Sequence, residues 1–166
     1  MNIEANQEQL ETAKADAART YLSDISKLEK KLQAVQVEYE MAVKRASGLT
    51  GIDYSRDRVS TSPSADAIPD AVERYSELKD QMDVLADVVT DAKNERDELI
   101  ESFDVNDNIN AQVIRMRYVL GEKVEDVAFA LGYCPRDIQR KQKAGLVELY
   151  DAGLPGEYRI NYQKAI

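Results

Sequence analysis

From Gln7 to Ser47 the chain contains neither proline nor glycine, and its apolar residues recur at Ala18, Leu22, Ile25, Leu28, Leu32, Val35, Tyr39, Ala42 and Ala46. Steps that alternate mainly between three and four residues trace the 3.5-residue seam of a coiled coil. Lys27, Glu29, Lys30, Lys31, Gln33, Gln36 and Glu38 fill the outward positions. A seam this narrow has no interior of its own, so the helix needs a partner.

A second stripe follows after a break. Gly48, Gly51 and Ser62-Pro63 interrupt the helical pattern, and Ser64 can cap a new start. The next helix is expected from about Asp66 or Asp70 to Phe103, with Val72, Tyr75, Leu78, Met82, Leu85, Val89, Ala92, Leu99 and Phe103 on one face and Arg96 interrupting it. Two stripes of similar length joined by a loop predict a long antiparallel helical hairpin over residues 1–105. Parallel self-association of either helix would satisfy the same periodicity. The connection, residues 48–66, carries Leu49, Ile52, Tyr54 and Val59 beside Arg56, Asp57 and Arg58, too many large apolar groups for a flexible linker. It is expected to fold back onto the helices.

Past Phe103, the segment DVNDN ends the long helix, and Asp107 or Asn108 can cap another, Ile109 to Leu120, with Ile109, Val113, Met116, Tyr118 and Leu120 on its apolar face. Gly121 stops it. A short helix from Val124 to Leu131, a turn at Gly132 and a final helix from Pro135 to about Asp151 complete a three-helix C-terminal domain, residues 106–152. Residues 153–166 read as a tail. The fold class expected is therefore all-α: a helical hairpin, then a small helical domain.

Charge divides along the same line. The chain carries a net charge of -9, yet residues 106–166 hold 9 Lys and Arg against 8 Asp and Glu, so the acidity belongs to the first two thirds. In the last helix Arg136, Arg140, Lys141 and Lys143 outnumber Asp137 and Glu148. The footprint is small for a nucleic-acid ligand and favours an oligomer, with a dimer first, over a single copy.

The segment GEKVEDVAFALGYCPRDIQRKQKAGLVELY has helix-turn-helix spacing. Val127, Ala128 and Leu131 face inward from the first helix, and Gly132 permits the reversal. Tyr133 can plug the gap under the turn, Cys134 lies at the cap, and Pro135 suits the first turn, where its missing N–H is no loss. Ile138 and Leu149 point inward. That leaves Arg136, Gln139, Arg140 and Lys143 outside. Long donors on a helix laid in a major groove read base edges, Arg on guanine and Gln on adenine. Arg136, Gln139 and Arg140 are the expected base readers. Lys141 and Lys143, with Arg115 and Arg117 on the preceding helix, are the expected phosphate contacts.

The pattern G-x-x-V-E-D-V-A-x-A-L-G-Y of Gly121 to Tyr133, followed by a helix rich in Arg and Gln, resembles region 4 of bacterial sigma factors. Tyr21-Leu22-x-x-Ile25, Gly51-Ile52-x-Tyr54-Ser55, Asp57-Arg58-Val59, Ser62-Pro63 and Arg117-Tyr118 extend the likeness over most of the chain. They are similar to the sigma-like transcriptional regulators of Gram-positive phages and prophages, related to the ArpU and RinA types of late-gene activator. The resemblance implies promoter recognition through Arg136, Gln139 and Arg140, double-stranded DNA as ligand, and RNA polymerase as a second partner. Lys123, Cys134, Lys141 and Gly145 depart from the family pattern. Gly145, inside the reader helix, costs about 1 kcal/mol against alanine.

Other chemistries find little to work with. The chain has no His and one Cys, so it offers no zinc ligand set and no base to activate Cys134. No glycine-rich phosphate loop is present, and neither an enzyme nor a cofactor is expected. The first twenty residues lack a basic leader and an apolar core, and no stretch reaches the roughly 20 apolar residues of a membrane span, so a cytoplasmic protein is expected. Two alternatives stay open: a DNA-packaging subunit resembling a small terminase, and a helical adaptor that binds no DNA.

Overall fold

The structure, a computed structural model, describes residues 3–50 and 67–160. The protein is all-helical, with five α-helices in chain order and no strand among the described residues: α1 (Ile3–Thr50), α2 (Ala67–Phe103), α3 (Ile109–Ile114), α4 (Val124–Leu131) and α5 (Pro135–Gly153). Gly48 does not stop α1, which runs on to Thr50. One glycine costs a helix only about 1 kcal/mol, less than a run of good helix formers supplies. The connecting segment expected to fold back lies outside the described residues.

The chain forms two compact units, and neither ends at residue 105. One joins residues 1–26 to residues 92–166; the other is residues 27–91. Each long helix therefore contributes to both. The physical reason is in the first unit's core, where Ala15, Ala18, Tyr21, Leu22 and Ile25 of α1 cluster with Ile100 of α2, Ala111 and Ile114 of α3, and Leu146, Leu149 and Leu154. Ala15 and Ala18, three residues apart on one face, let other helices approach closely. The start of the α1 seam is thus spent on the C-terminal helices.

A smaller cluster of Val113, Val127, Ala128 and Ile138, with Met116, Val124 and Leu131 against it, ties α3, α4 and α5 together. Asn108 caps α3, its Oδ1 accepting from the Asn110 N–H at 2.9 Å. The expected single helix to Leu120 is broken in kind: α3 gives way at Arg115 to a π-helical turn, Arg115–Val119, closed by the Leu120 N–H on the Arg115 carbonyl. The wider turn rotates the later side chains. Past it Leu120, expected on the apolar face, is 67% exposed, while upstream of the turn Ala111 and Ile114 are buried along with Val113.

The C-terminal residues also depart from the tail expected after residue 152. Leu154 is fully buried. The Tyr158 ring meets that of Tyr21 edge-on at 5.2 Å, its hydroxyl donates to Asp24 at 3.2 Å, and Arg159 donates back to the Leu154 carbonyl. Order therefore continues at least to Ile160.

In the unit of residues 27–91, α1 and α2 share two grooves. Lys31 and Val35 line one with residues 80–88 of α2, while Glu38, Met41, Ala42 and Arg45 line the other with Arg74 and Leu78. Numbering rises on one helix as it falls on the other, so the two run antiparallel there. No described helix is long and apolar enough to cross a membrane.

Candidate nucleic-acid interface

The turn between α4 and α5 follows from three residues. Gly132 takes φ +71°, in the left-handed region that favours glycine. Its N–H reaches the Phe129 carbonyl and the Tyr133 N–H reaches the Ala128 carbonyl at 3.0 Å, which closes the end of α4 by two reversed bonds. Cys134 then stands in extended backbone as the residue before α5, and Pro135 opens the helix. Cys134 is exposed, and its Sγ donates to the Asp137 carboxylate at 3.1 Å.

Behind this turn α5 is held on its inner side by Ile138, Gly145, Leu146 and Leu149, all buried. These positions recur at seven, eight and eleven residues from Ile138, one stripe of a helix. The opposite stripe carries Arg136, Gln139, Arg140 and Lys143 at spacings of three, four and seven. Arg136, Gln139 and Arg140 are exposed, and among the described residues Arg136 and Gln139 have no side-chain partner. Arg140 lies 3.9 Å from Asp137 across an open surface, a pairing too solvated to hold it. The three expected base readers thus share a face with their donors free to turn outward.

The four expected phosphate contacts are placed differently. Lys141 sets its ammonium over the Tyr133 ring, 4.7 Å from the centroid. Tyr133 therefore lies at the surface under a cation; it does not plug the turn. Lys143 donates to the Thr12 hydroxyl of α1 at 3.2 Å. Arg115 pairs with Asp104. Arg117 donates to the Glu122 carbonyl and to the Gln142 side chain, whose amide donates in turn to the Tyr118 hydroxyl at 2.8 Å. Arg115 and Arg117 thus brace the chain around the π-helical turn and Gly121.

Two features escaped the sequence reading. Asn108 and Asn110 each donate to one oxygen of Glu148, at 2.7 and 2.8 Å, locking α3 to α5. No periodicity announces that clamp, because all three residues read as surface. Phe129 is 92% exposed, on the α4 face that also carries Glu125 and Asp126. Placing Val127, Ala128 and Leu131 inward already implied that Phe129 faces out. The two carboxylates make that face unsuitable for phosphate.

Among the described residues there is no group of side chains able to hold a metal ion. No family model, no curated protein and no solved structure matches the chain.

Proposed function

We propose that this protein is a sequence-specific DNA-binding transcriptional regulator of a phage or prophage operon, and that α5 is the helix that reads promoter DNA. The observation that carries the reading is the exposed face of Arg136, Gln139 and Arg140 at the start of a helix whose other side is locked by Ile138, Leu146 and Leu149. Guanidinium and amide groups held on a rigid rod can pair with base edges, where the same groups on a mobile tail would give only charge. Arg136 and Gln139, three residues apart, reach neighbouring base pairs. Lys141 and Lys143, close to Tyr133 and Thr12, approach the flanking phosphates by turning their flexible stems.

No catalytic role is assigned to any residue. Because one copy presents so few cations, the reading includes a dimer that doubles the electrostatic footprint and spans two half-sites. RNA polymerase is its second partner.

Selection from a random pool of duplex DNA, followed by sequencing, tests the proposal. The full chain is expected to enrich a short motif, and Arg136→Ala and Gln139→Ala to relax it at separate positions. Unenriched recovery, or a motif untouched by both substitutions, overturns it.

A further inference from the structure

Among its described residues, the unit of residues 27–91 has a seam and almost no core. Of those residues only Leu78 and Val89 are buried; Leu28, Leu32, Val35, Tyr39, Ala42, Tyr75, Met82 and Leu85 are half-buried. Beside the seam, α2 shows Val84 at 66% and Val88 at 47% exposure, four residues apart on one face. These two, with Val35 and Leu85, line a groove of about 470 Å³ whose polar ends are Lys31 on α1 and Asp80 and Gln81 on α2. Two helices alone bury only one side of each stripe, whereas a bundle of four encloses it.

The charges say what covers the groove. Within this unit α1 carries Lys27, Lys30, Lys31, Lys44 and Arg45 against Glu29, Glu38 and Glu40, a surplus of two positive charges. Between Asp70 and Asp91, α2 carries Asp70, Glu73, Glu77, Asp80, Asp83, Asp87 and Asp91 against Arg74 and Lys79, a surplus of five negative charges. A nucleic acid or an acidic membrane is repelled by α2. A basic peptide would satisfy α2 and oppose α1. A second copy satisfies both when the two-fold axis sets each basic helix against the partner's acidic one, twice over.

We propose that two copies of this chain associate through the groove lined by Val35, Val84, Leu85 and Val88, forming a four-helix bundle with Lys31 of each copy facing Asp80 of the other. This surface supplies the partner that the seam of α1 and α2 demands. It is independent of what α5 binds, and the test contains no DNA.

Sedimentation velocity of the full chain over a range of micromolar concentrations is expected to show a dimer. Val84→Glu combined with Val88→Glu buries unpaired carboxylates, and is expected to raise the dissociation constant about a hundredfold or more while the far-ultraviolet helical signal is kept. Should that variant lose its helices, charge reversal decides: Asp80→Lys weakens the dimer, and Asp80→Lys with Lys31→Glu restores it. A wild-type monomer at every concentration overturns the proposal. So does a larger ring, or a dimer indifferent to the valine pair or to charge reversal. DNA selection on the dissociated variant reports on the α5 reading separately.

Discussion

A Cβ placed on Gly145 would lie 2.7 Å from Cγ1 of Ile114 and 2.9 Å from the carbonyl oxygen of Asn110, so α5 crosses α3 at a separation only glycine allows. Viewed as sequence, this glycine weakens its helix. In the fold it is what brings the rod carrying Arg136 and Gln139 against its support.

Gly145→Ala should therefore destabilise the protein although alanine is the better helix former. The gain in helix propensity is about 1 kcal/mol, while overpacking a close crossing costs about 1 to 3 kcal/mol. The Ile114 side chain can shift; the backbone oxygen of Asn110 cannot without moving α3. Urea unfolding should give a net loss, and a gain in stability would show that the crossing relaxes freely.

Tyr21 is buried in the first unit with its hydroxyl unpartnered. Burial, with the negative charge of Glu95 adding to it, pushes its phenol up to about 12, while Arg96 pulls the other way. Tyr21→Phe removes a desolvated hydroxyl and keeps the ring against Tyr158, so stability near neutral pH should hold or rise by about 1 kcal/mol. The raised value also fixes the sign at alkaline pH. The folded state keeps a proton that the unfolded chain releases near 10, so this contribution is complete below pH 10 and is lost as pH climbs towards 12. Tyr158 is shifted upward as well, by burial and by its bond to Asp24. Parent stability should fall more steeply than that of Tyr21→Phe between pH 10 and 12, a difference measurable by chemical denaturation.

The clamp on Glu148 gives a third expectation. Asn108→Asp keeps the acceptor that caps α3 but places a carboxylate where an amide donates to Glu148 at 2.7 Å. It should cost about 1 to 3 kcal/mol. Adding Glu148→Gln should recover much of that loss, since the amide can again donate across the gap. Thermal melts of the two single variants and the double complete the cycle, and strict additivity would deny the contact.

Arginines on the two sides of the domain should behave differently. Arg136→Ala touches an exposed side chain and should leave stability within about 0.5 kcal/mol, while relaxing base preference by about 1 to 3 kcal/mol at one position. Arg117→Ala should lower stability by about 1 to 3 kcal/mol, because the Glu122 carbonyl and Gln142 lose their donor. Lys143→Ala should weaken binding to all duplexes alike. Melting curves set beside anisotropy titrations separate the three.

Local chemistry was open to a reader of the chain. A cap at Asp107 or Asn108, of which the fold uses Asn108, Pro135 in the first turn, left-handed Gly121 and Gly132, and buried Ile138 and Leu149 each follow from a property of one residue or one repeat. The Arg136, Gln139 and Arg140 face could be read in the same way, as what remains once the inward stripe is assigned. The intramolecular partners of Arg115 and Arg117 could not, because Asp104, Glu122 and Gln142 are brought to them by how the chain bends around the π-helical turn.

What the order of residues determined is the helical class of the protein and, in α4 and α5, where each helix begins and which stripe avoids water, since these depend on neighbours within a few positions. Only the tertiary structure decided which stripes meet. It gave Ala15 to Ile25 to the C-terminal helices, turned Leu120 outward, buried Leu154, and made Gly145 a contact point. The reason is physical: periodicity says that a face must be buried, but any apolar face of suitable shape can bury it, and close packing in three dimensions selects among them.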